Sequence, residues 1–278
     1  MIEYNVSVPE RYHVFGFEST YQHYEYMEWM KRQWNVGYTL CVIYVIAIFS
    51  GQYLMKTRPK FEFRRPLVFW NVFLAVFSII GASRTYPEMS HILRNYGWYH
   101  SVCNSSFLTR DKVSAFWSLL FILSKPVEFG DTFFIVVRKQ PLIFLHWYHH
   151  LTVLLYSWFA VLNSTATVRW FIVMNYAVHS IMYSYYAIRA MGFKLPKPLA
   201  MIVTSLQLVQ MFVGCAVNIW AYKYLQSGLI CQVSHLNIML SFAMYLSYLY
   251  LFGQFFYQSY LAGNRLQQKF KTTKSKTN

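Results

Sequence analysis

Long apolar segments separated by short polar connections make up most of the sequence. A run of about 20 apolar residues is what an α-helix needs to cross the hydrocarbon core of a bilayer. The pattern predicts seven such helices, over residues 34–55, 66–86, 113–137, 141–162, 168–190, 199–222 and 235–261. We therefore expect an all-α, polytopic membrane protein whose seven-helix domain, 34–262, lies between a polar segment, 1–33, and a basic tail, 263–278.

Composition agrees with this assignment. Hydrophobic residues make up 56% of the chain and charged residues only 13%, whereas a soluble domain normally carries about 25% charged residues. The formal charge of +15 suggests nucleic acid as a partner, but the basic residues lie in the gaps between apolar runs and form no single face. We therefore expect no nucleic-acid partner.

Basic residues are divided unequally between the two sides of the predicted membrane domain. The connections 56–65, 138–139 and 189–197, together with the tail, carry fifteen Lys and Arg against one acid, whereas the other side carries nine against seven. Because basic loops stay in the cytosol, we expect a cytosolic tail and, with seven spans, a lumenal N-terminus. Lys274 and Lys276 resemble a retrieval signal of the endoplasmic reticulum, although a plain basic tail would look the same.

Two kinds of modification are predicted on the lumenal side. Glycosylation sequons begin at Asn5, Asn104 and Asn163, and all three fall on that side. Cys103 and Cys231 both lie in lumenal loops, where an oxidising compartment allows them to form a disulfide.

Four neighbouring spans carry polar side chains at a similar depth. These are Lys125, Glu128 and Asp131 in the third span, His146, His149 and His150 in the fourth, Asn175, His179, Tyr183 and Tyr186 in the fifth, and Thr204, Gln207 and Gln210 in the sixth. Representative members lie roughly 12–18 Å from the cytosolic end of their spans. Since ionisable groups inside a membrane usually mark a functional site, this layer predicts a polar cavity, although a single Gln or Thr often only bridges helices.

The segment HWYHH allows either metal binding or acyl transfer. HxxHH boxes hold iron in membrane desaturases and hydroxylases, but only four of the nine histidines lie in the polar layer, and there is no second box. A single zinc site remains open. No cysteine reaches the layer to act as a nucleophile, whereas a neutral imidazole can attack a thioester and its neighbours can move protons.

The four polar segments resemble the motifs of a known family. KPVEFGDT, HWYHH, HSIMYSYY and TSLQLVQ match, in order, the patterns KxxExxDT, HxxHH, HxxMYxYY and TxxQxxQ of the fatty acid elongases. The flanking residues are most similar to the branch that extends saturated and monounsaturated chains of about palmitate length. The resemblance implies a 3-oxoacyl-CoA synthase of the endoplasmic reticulum, which joins acyl-CoA and malonyl-CoA with release of CO2 and CoA.

The resemblance also implies roles for the histidines. The middle histidine of the box, His149, would carry the acyl group, while His146, His150 and His179 would orient, polarise or shuttle protons. A direct condensation in which His149 acts only as a base remains an alternative. No metal or other cofactor is implied. The site would lie in an apolar acyl tunnel roughly 15 Å deep, closed at its lumenal end by bulky side chains of spans five to seven.

The other polar residues of the layer are assigned to the substrates. Lys125 and the basic loops would suit CoA phosphates and the malonyl carboxylate. The plainer interpretation of Lys125 is a buried ion pair with Glu128 or Asp131, which can coexist with substrate binding. The remaining substrate contacts are assigned to Asn175, Tyr183, Tyr186, Thr204, Gln207 and Gln210. Other elongation-cycle enzymes and a second copy of the chain are the expected partners. A seven-span receptor or transporter remains the rival interpretation.

Overall fold

The computed structural model describes residues 6–11 and 13–262. Every regular element among them is helical, as the hydrophobic pattern predicts. The helices are α1 (Gly16–Ser19), α2 (His23–Arg32), α3 (Trp34–Met55), α4 (Arg64–Asn95), α5 (Gly97–Cys103), α6 (Ser106–Thr109), α7 (Lys112–Val127), α8 (Gly130–Val137), α9 (Phe144–Leu162), α10 (Val168–Ala190), α11 (Lys197–Gln226) and α12 (His235–Phe256). A π-helical segment, Tyr257–Ala262, continues α12.

Four of these helical stretches are long and apolar enough to cross a membrane. They are α3, α4, α11 and the continuous stretch His235–Ala262. Only 22–39% of their most apolar windows is buried inside the protein, so much of their apolar surface is available to lipid. The chain is therefore a multi-pass membrane protein.

The third predicted span, 113–137, is interrupted in the structure. Pro126 lies in the last turn of α7, where its ring crowds the preceding turn and its backbone lacks an N–H. The amides of Phe129 and Asp131 then bond to carbonyls three residues earlier, at 3.2 and 3.0 Å, which tightens the chain before α8 begins at Gly130. The break separates Lys125 from Asp131.

Two glycines allow tyrosine rings to pack directly against a neighbouring helix backbone. A Cβ added to Gly81 of α4 would overlap the ring of Tyr176 on α10, and one added to Gly214 of α11 would overlap the ring of Tyr245 on α12. Small residues at such contacts bring membrane helices close together. The two helix pairs are thereby fixed at short separation.

The N-terminal segment is attached to the helix bundle by ion pairs. Arg11 pairs with Asp111, and Glu18 pairs with Arg84. Glu18 also accepts a hydrogen bond of 2.8 Å from Trp117 Nε1. Although burial alone raises the pKa of Glu18, the hydrogen bonds from Arg84 and Trp117 hold it below its usual value. The Glu18 carboxylate therefore stays ionised, and its contacts hold the N-terminal segment against α4 and α7.

A disulfide and a buried ion pair organise one end of the bundle, which we call the disulfide end. Cys103, at the end of α5, is bonded to Cys231 in the connection between α11 and α12. Nearby, Arg169 Nε of α10 donates to Glu88 of α4 at 2.9 Å. The structure thus contains the cysteine pair expected from the sequence.

The predicted glycosylation sites differ in exposure. The side chain of Asn163 is exposed, whereas Asn104 is 6% exposed and its Nδ2 is buried. In this fold only Asn163, of the two described sequons, presents its side chain at the surface. Asn5 and the tail with Lys274 and Lys276 lie outside the described residues.

Candidate active site

A cavity of about 660 Å³, the upper cavity, lies between α4, α8, α9, α10, α11 and α12. Eleven of the thirteen polar residues predicted from the sequence line it, namely Asp131, His146, His149, His150, Asn175, His179, Tyr183, Tyr186, Thr204, Gln207 and Gln210. The other two, Lys125 and Glu128, are buried and do not line it. Most of the side chains that the sequence places at a common depth thus surround one cavity.

The histidine box occupies the first two turns of α9. Because this helix begins at Phe144, His146, His149 and His150 project from one face at positions i, i+3 and i+4. The ring centroids of His146 and His150 are 4.6 Å apart, and those of His149 and His150 are 5.4 Å apart. The three imidazoles therefore form one contiguous cluster on the cavity wall.

A chain of hydroxyl groups leads to His146. The Nε2 atom of His146 is hydrogen bonded to Thr132 Oγ1 at 2.9 Å, and Thr132 Oγ1 is also bonded to the hydroxyl of Tyr44 at 2.8 Å. Thr132 belongs to the KPVEFGDT segment, but Tyr44 lies on α3, outside every motif. This contact orients the first imidazole of the box.

The carboxylate of Asp131 faces the box from α8. It accepts hydrogen bonds of 2.7 Å from Trp70 Nε1 and from the Tyr183 hydroxyl. Its Oδ2 lies 4.0 Å from Nε2 of His150. Two donors on different helices therefore fix the carboxylate beside the last histidine of the box.

Lys125 belongs to a buried polar network behind the cavity. Its Nζ donates to Glu128 Oε1 at 2.7 Å and to Asn175 Oδ1 at 3.1 Å. Asn175 Nδ2 is 3.1 Å from Nε2 of His179, and Glu128 Oε1 is 4.0 Å from Nδ1 of the same ring. The structure therefore favours the ion-pair interpretation of Lys125, and this side chain supports His179 from behind.

His149 is held by the packing of its ring. Its ring packs against Tyr248, with centroids 4.9 Å apart, and against Phe252, at 6.3 Å. The Tyr248 hydroxyl donates to the backbone carbonyl of His149 at 3.3 Å. Among the described residues, neither ring nitrogen of His149 has a hydrogen-bond partner. The ring is thus positioned by packing, with its nitrogens unengaged.

A second, much smaller cavity continues from His149 toward the disulfide end, and we call it the lower cavity. It has a volume of about 40 Å³ and shares His149, Asn175, Gln210 and Met211 with the upper cavity. Its further walls are mainly apolar and aromatic and come from Phe121, Val153, Tyr156, Ser157, Val168, Phe171, Ile172, Met244, Tyr245 and Tyr248.

The lower cavity is narrower than the tunnel that the sequence predicts. A volume of about 40 Å³ is far smaller than a long acyl chain, because the rings of Tyr156, Phe171 and Tyr245 fill the space. The lower cavity has the apolar lining and the bulky side chains expected of the predicted tunnel, but it is too narrow for a long acyl chain. An acyl chain has to displace side chains to enter.

Arginines surround the opposite side of the upper cavity, which we call the basic end. Arg64, Arg138 and Arg189 all line the cavity there. Arg64 Nε donates to the carbonyl of Ala190 at 3.0 Å, so this side chain also caps the end of α10. The upper cavity therefore has arginines at one end and polar side chains in its middle, and the lower cavity continues from it with mainly apolar walls.

The comparisons with known proteins identify the family. Residues 29–268 match the family model described as ELO, GNS1/SUR4 family. The chain belongs to the GNS1/SUR4 family. It is 53% identical over 265 residues to very long chain fatty acid elongase 6 of Drosophila melanogaster, which covers 94% of this chain and 84% of that protein.

Other GNS1/SUR4 relatives give the same result. Very long chain fatty acid elongase 6 of Homo sapiens is 46% identical over 261 residues, covering 94% of this chain and 96% of that protein. Very long chain fatty acid elongase 3 of Homo sapiens is 43% identical over 231 residues, covering 83% and 85%. The resemblance to the elongase motifs is therefore confirmed by nearly full-length similarity.

The candidate site of this GNS1/SUR4 member differs from metal and cysteine sites. Among the described residues, no three His, Cys, Asp or Glu side chains are arranged to hold a metal ion. The two free cysteines, Cys41 and Cys215, are buried and line neither cavity. The titratable side chains that line the middle of the upper cavity are imidazoles, the Asp131 carboxyl group and the tyrosine hydroxyls of Tyr183 and Tyr186.

Proposed function

We propose that the chain catalyses the condensing step of fatty acid elongation, joining a long-chain acyl-CoA and malonyl-CoA into a 3-oxoacyl-CoA. The observation that carries this proposal is the position of His149, where the polar upper cavity and the apolar lower cavity meet. An acyl-CoA thioester likewise has a polar head on one side and a hydrocarbon tail on the other, so it matches this junction of a polar and an apolar cavity. The names of the relatives support the same activity.

The CoA portion of each substrate is assigned to the basic end. Arg64, Arg138 and Arg189 supply guanidinium groups at the wall of the upper cavity. Guanidinium groups form bidentate, charge-assisted hydrogen bonds with phosphates. The thioester then points inward toward the histidine box, and the acyl tail continues into the lower cavity.

The first chemical step transfers the acyl group to His149. The unprotonated ring nitrogen attacks the thioester carbonyl, and the C–S bond breaks with its electron pair on sulfur. The proton lost from the other ring nitrogen passes to that sulfur, so free CoA leaves. An acyl-imidazole reacts with water, and the rings of Tyr248 and Phe252 cover part of the imidazole.

The second step forms the carbon–carbon bond. In malonyl-CoA the bond between C2 and the carboxylate breaks, CO2 leaves, and the electron pair forms a new bond to the acyl carbonyl carbon. The C–N bond to His149 breaks, and one proton restores the neutral imidazole. The sum consumes acyl-CoA, malonyl-CoA and one proton and yields 3-oxoacyl-CoA, CO2 and CoA, and no cofactor takes part.

The other imidazoles are assigned supporting roles. His150 lies 4.0 Å from Asp131, and His179 lies 4.0 Å from Glu128. His146 is bonded to Thr132. The hydrogen bonds of His146 and of His179 bear on which ring nitrogen carries the proton, and the Asp131 carboxylate lies beside His150, so these three rings are suited to proton transfer and polarisation. His149, the one of the four imidazoles that lines both cavities, is suited to covalent attack.

Incubation with acyl-CoA alone tests the covalent route. Purified protein should release up to one equivalent of CoA without malonyl-CoA, and mass spectrometry should find the acyl mass on the peptide that contains the box. His149→Gln should abolish both signals. If the wild-type protein gives neither signal yet condenses both substrates, the direct route, with His149 acting as a base, is the correct one. Acylation that persists in His149→Gln would move the nucleophile elsewhere.

We also propose how the molecule is placed in the cell. Seven helical units, α3, α4, α7 with α8, and α9 to α12, would span the membrane of the endoplasmic reticulum. The basic end would face the cytosol, which supplies CoA thioesters, and the disulfide end would face the oxidising lumen. Other enzymes of the elongation cycle, which must take up the 3-oxo product, and a second copy of the chain are the proposed partners.

A further inference from the structure

The floor of the lower cavity contains a tyrosine that rests on a glycine of the neighbouring helix. Tyr245 of α12 lines this cavity and is 4% exposed. Behind its ring is the backbone of Gly214 on α11, where an added Cβ would overlap ring atoms Cδ1, Cε1 and Cζ. The lining of the cavity includes Tyr245 but not Gly214. The ring therefore separates the glycine from the cavity.

Packing alone holds this ring in place. Its other neighbours are Phe171, at a centroid distance of 4.8 Å, and Tyr248, at 6.5 Å. In the described part of the chain the Tyr245 hydroxyl makes no hydrogen bond. No polar anchor therefore fixes the ring, and its position depends on the space behind it.

The ring lies one helical turn below the reactive layer. Tyr248, whose ring packs on His149, follows Tyr245 by three residues, which is about 4.5 Å along α12. A chain attached at His149 and directed into the lower cavity therefore meets the Tyr245 ring within its length. A shift of the ring changes how many methylene groups fit.

We propose that Gly214 is a specificity-determining residue for acyl chain length, because it leaves the space that lets Tyr245 withdraw from the lower cavity. The inference rests on the proposed function, since it needs an acyl chain that extends from His149 into this cavity. A side chain at position 214 pushes the ring inward and shortens the preferred substrate. A smaller side chain at position 245 removes the ring and lengthens it.

The test is a profile of kcat/KM against saturated acyl-CoAs of graded even length. Gly214→Ala should lower the value for the longest good substrate about tenfold relative to the substrate two carbons shorter, because loss of room for one methylene costs about that factor. Tyr245→Leu should shift the profile in the opposite direction. Tyr245→Phe keeps the ring and should retain the wild-type profile.

Gly81→Ala provides a matched control. Gly81 is also a helical glycine against which a tyrosine ring, that of Tyr176, is packed, but Tyr176 lines neither cavity. This variant should lose thermal stability without a change in chain-length preference.

In a Tyr245→Leu background, Gly214→Ala should have no further effect on the chain-length profile, because the ring that it displaces is gone.

Each outcome decides the inference. If Gly214→Ala lowers activity equally for all lengths, or matches Gly81→Ala, the glycine only serves helix packing and the inference is wrong. If Gly214→Ala does not fold, an unchanged profile in Tyr245→Leu overturns the inference and a lengthened one supports it.

Release of CO2 from malonyl-CoA by the wild-type protein is measured alongside. Its absence with every acyl-CoA would reject the proposed function itself, whereas its presence with unmoved profiles rejects only the role of Gly214.

Discussion

Thr132 links two helices to the histidine box through one hydroxyl group. It is bonded to the hydroxyl of Tyr44 and to Nε2 of His146, and each of the two hydroxyls has a single hydrogen to donate. Two arrangements satisfy both bonds: Tyr44 donates to Thr132 and Thr132 donates to Nε2 of a ring protonated on Nδ1, or Nε2–H of His146 donates to Thr132 and Thr132 donates to Tyr44. The hydroxyl chain thus links the tautomer of His146 to the hydroxyl of Tyr44.

Removal of the Tyr44 hydroxyl tests this chain. Tyr44→Phe keeps the ring that stacks on Phe129, with centroids 4.0 Å apart, but deletes one hydrogen bond. We expect kcat to fall about fivefold, the equivalent of ~1 kcal/mol, with KM unchanged because Tyr44 does not line the cavity. Steady-state assays of CO2 release measure both constants.

The matched pair for this experiment lies at Thr132. Thr132→Val, which removes both bonds at nearly constant volume, should lower kcat further than Tyr44→Phe does, and Thr132→Ser should retain most of the activity. A fall in thermal stability with kcat preserved in Tyr44→Phe would show that the chain is structural only.

The sequence predicts the residues that line the site better than it predicts the residues that hold them in position. The motifs place thirteen side chains at a similar depth, and the fold brings eleven of them around one cavity. Tyr44, Trp70 and Tyr248, which hold the reactive groups, lie outside those motifs and are three aromatic residues among many. Their contacts cross between helices, so no local spacing reveals them.

At the scale of helices, the apolar runs predict the elements well but not their ends. The predicted spans correspond to α3, α4, α7 with α8, and α9 to α12. However, α4 extends to Asn95, nine residues past the predicted end, because buried polar contacts such as that of Glu88 with Arg169 replace the apolar pattern. The apolar pattern also fails to predict the interruption after Pro126, because apolar residues continue through it into α8.

The contact between α8 and α4 predicts a further effect on the site. A Cβ added to Gly130 would overlap the indole of Trp70, which donates to Asp131. We expect Gly130→Ala to displace this donor and lower kcat roughly tenfold, since a hydrogen bond to a charged group contributes ~1.5 kcal/mol or more. Trp70→Phe, which deletes only the donor, should reproduce most of the loss in the same assay.

Gly253→Ala is the appropriate control, because an added Cβ at this position of α12 meets nothing within 4 Å. It should keep wild-type kcat. Equal losses in Gly253→Ala and Gly130→Ala would show that helix flexibility, and not the position of the Trp70 indole, limits the reaction.

At the scale of the whole molecule, the ends of the bundle differ chemically. Arginines surround the cavity at one end, and the disulfide and the N-terminal ion pairs lie at the other. The seven crossings proposed above would put the two termini on opposite sides, and the excess of basic residues predicts a cytosolic C-terminus.

Protease treatment of sealed microsomes that contain the doubly tagged protein tests this orientation. We expect the C-terminal tag to be lost and the N-terminal tag to be protected until detergent is added. Protection of both tags would require an even number of crossings with both termini in the lumen, and loss of the N-terminal tag alone would require the reverse orientation. Either result would contradict the seven-helix arrangement proposed above.

The separation between the disulfide and the cavity entrance has a consequence for the protein's own durability. Each turnover releases CoA, which is a free thiol, and a thiolate can attack a disulfide through a mixed-disulfide intermediate. The 23 residues of α10 place about 34 Å between the two ends of the bundle. Cys103 is 1% exposed and Cys231 is partly buried, so the proposed placement of CoA at the basic end would release the product thiol far from the bond that holds the other end together.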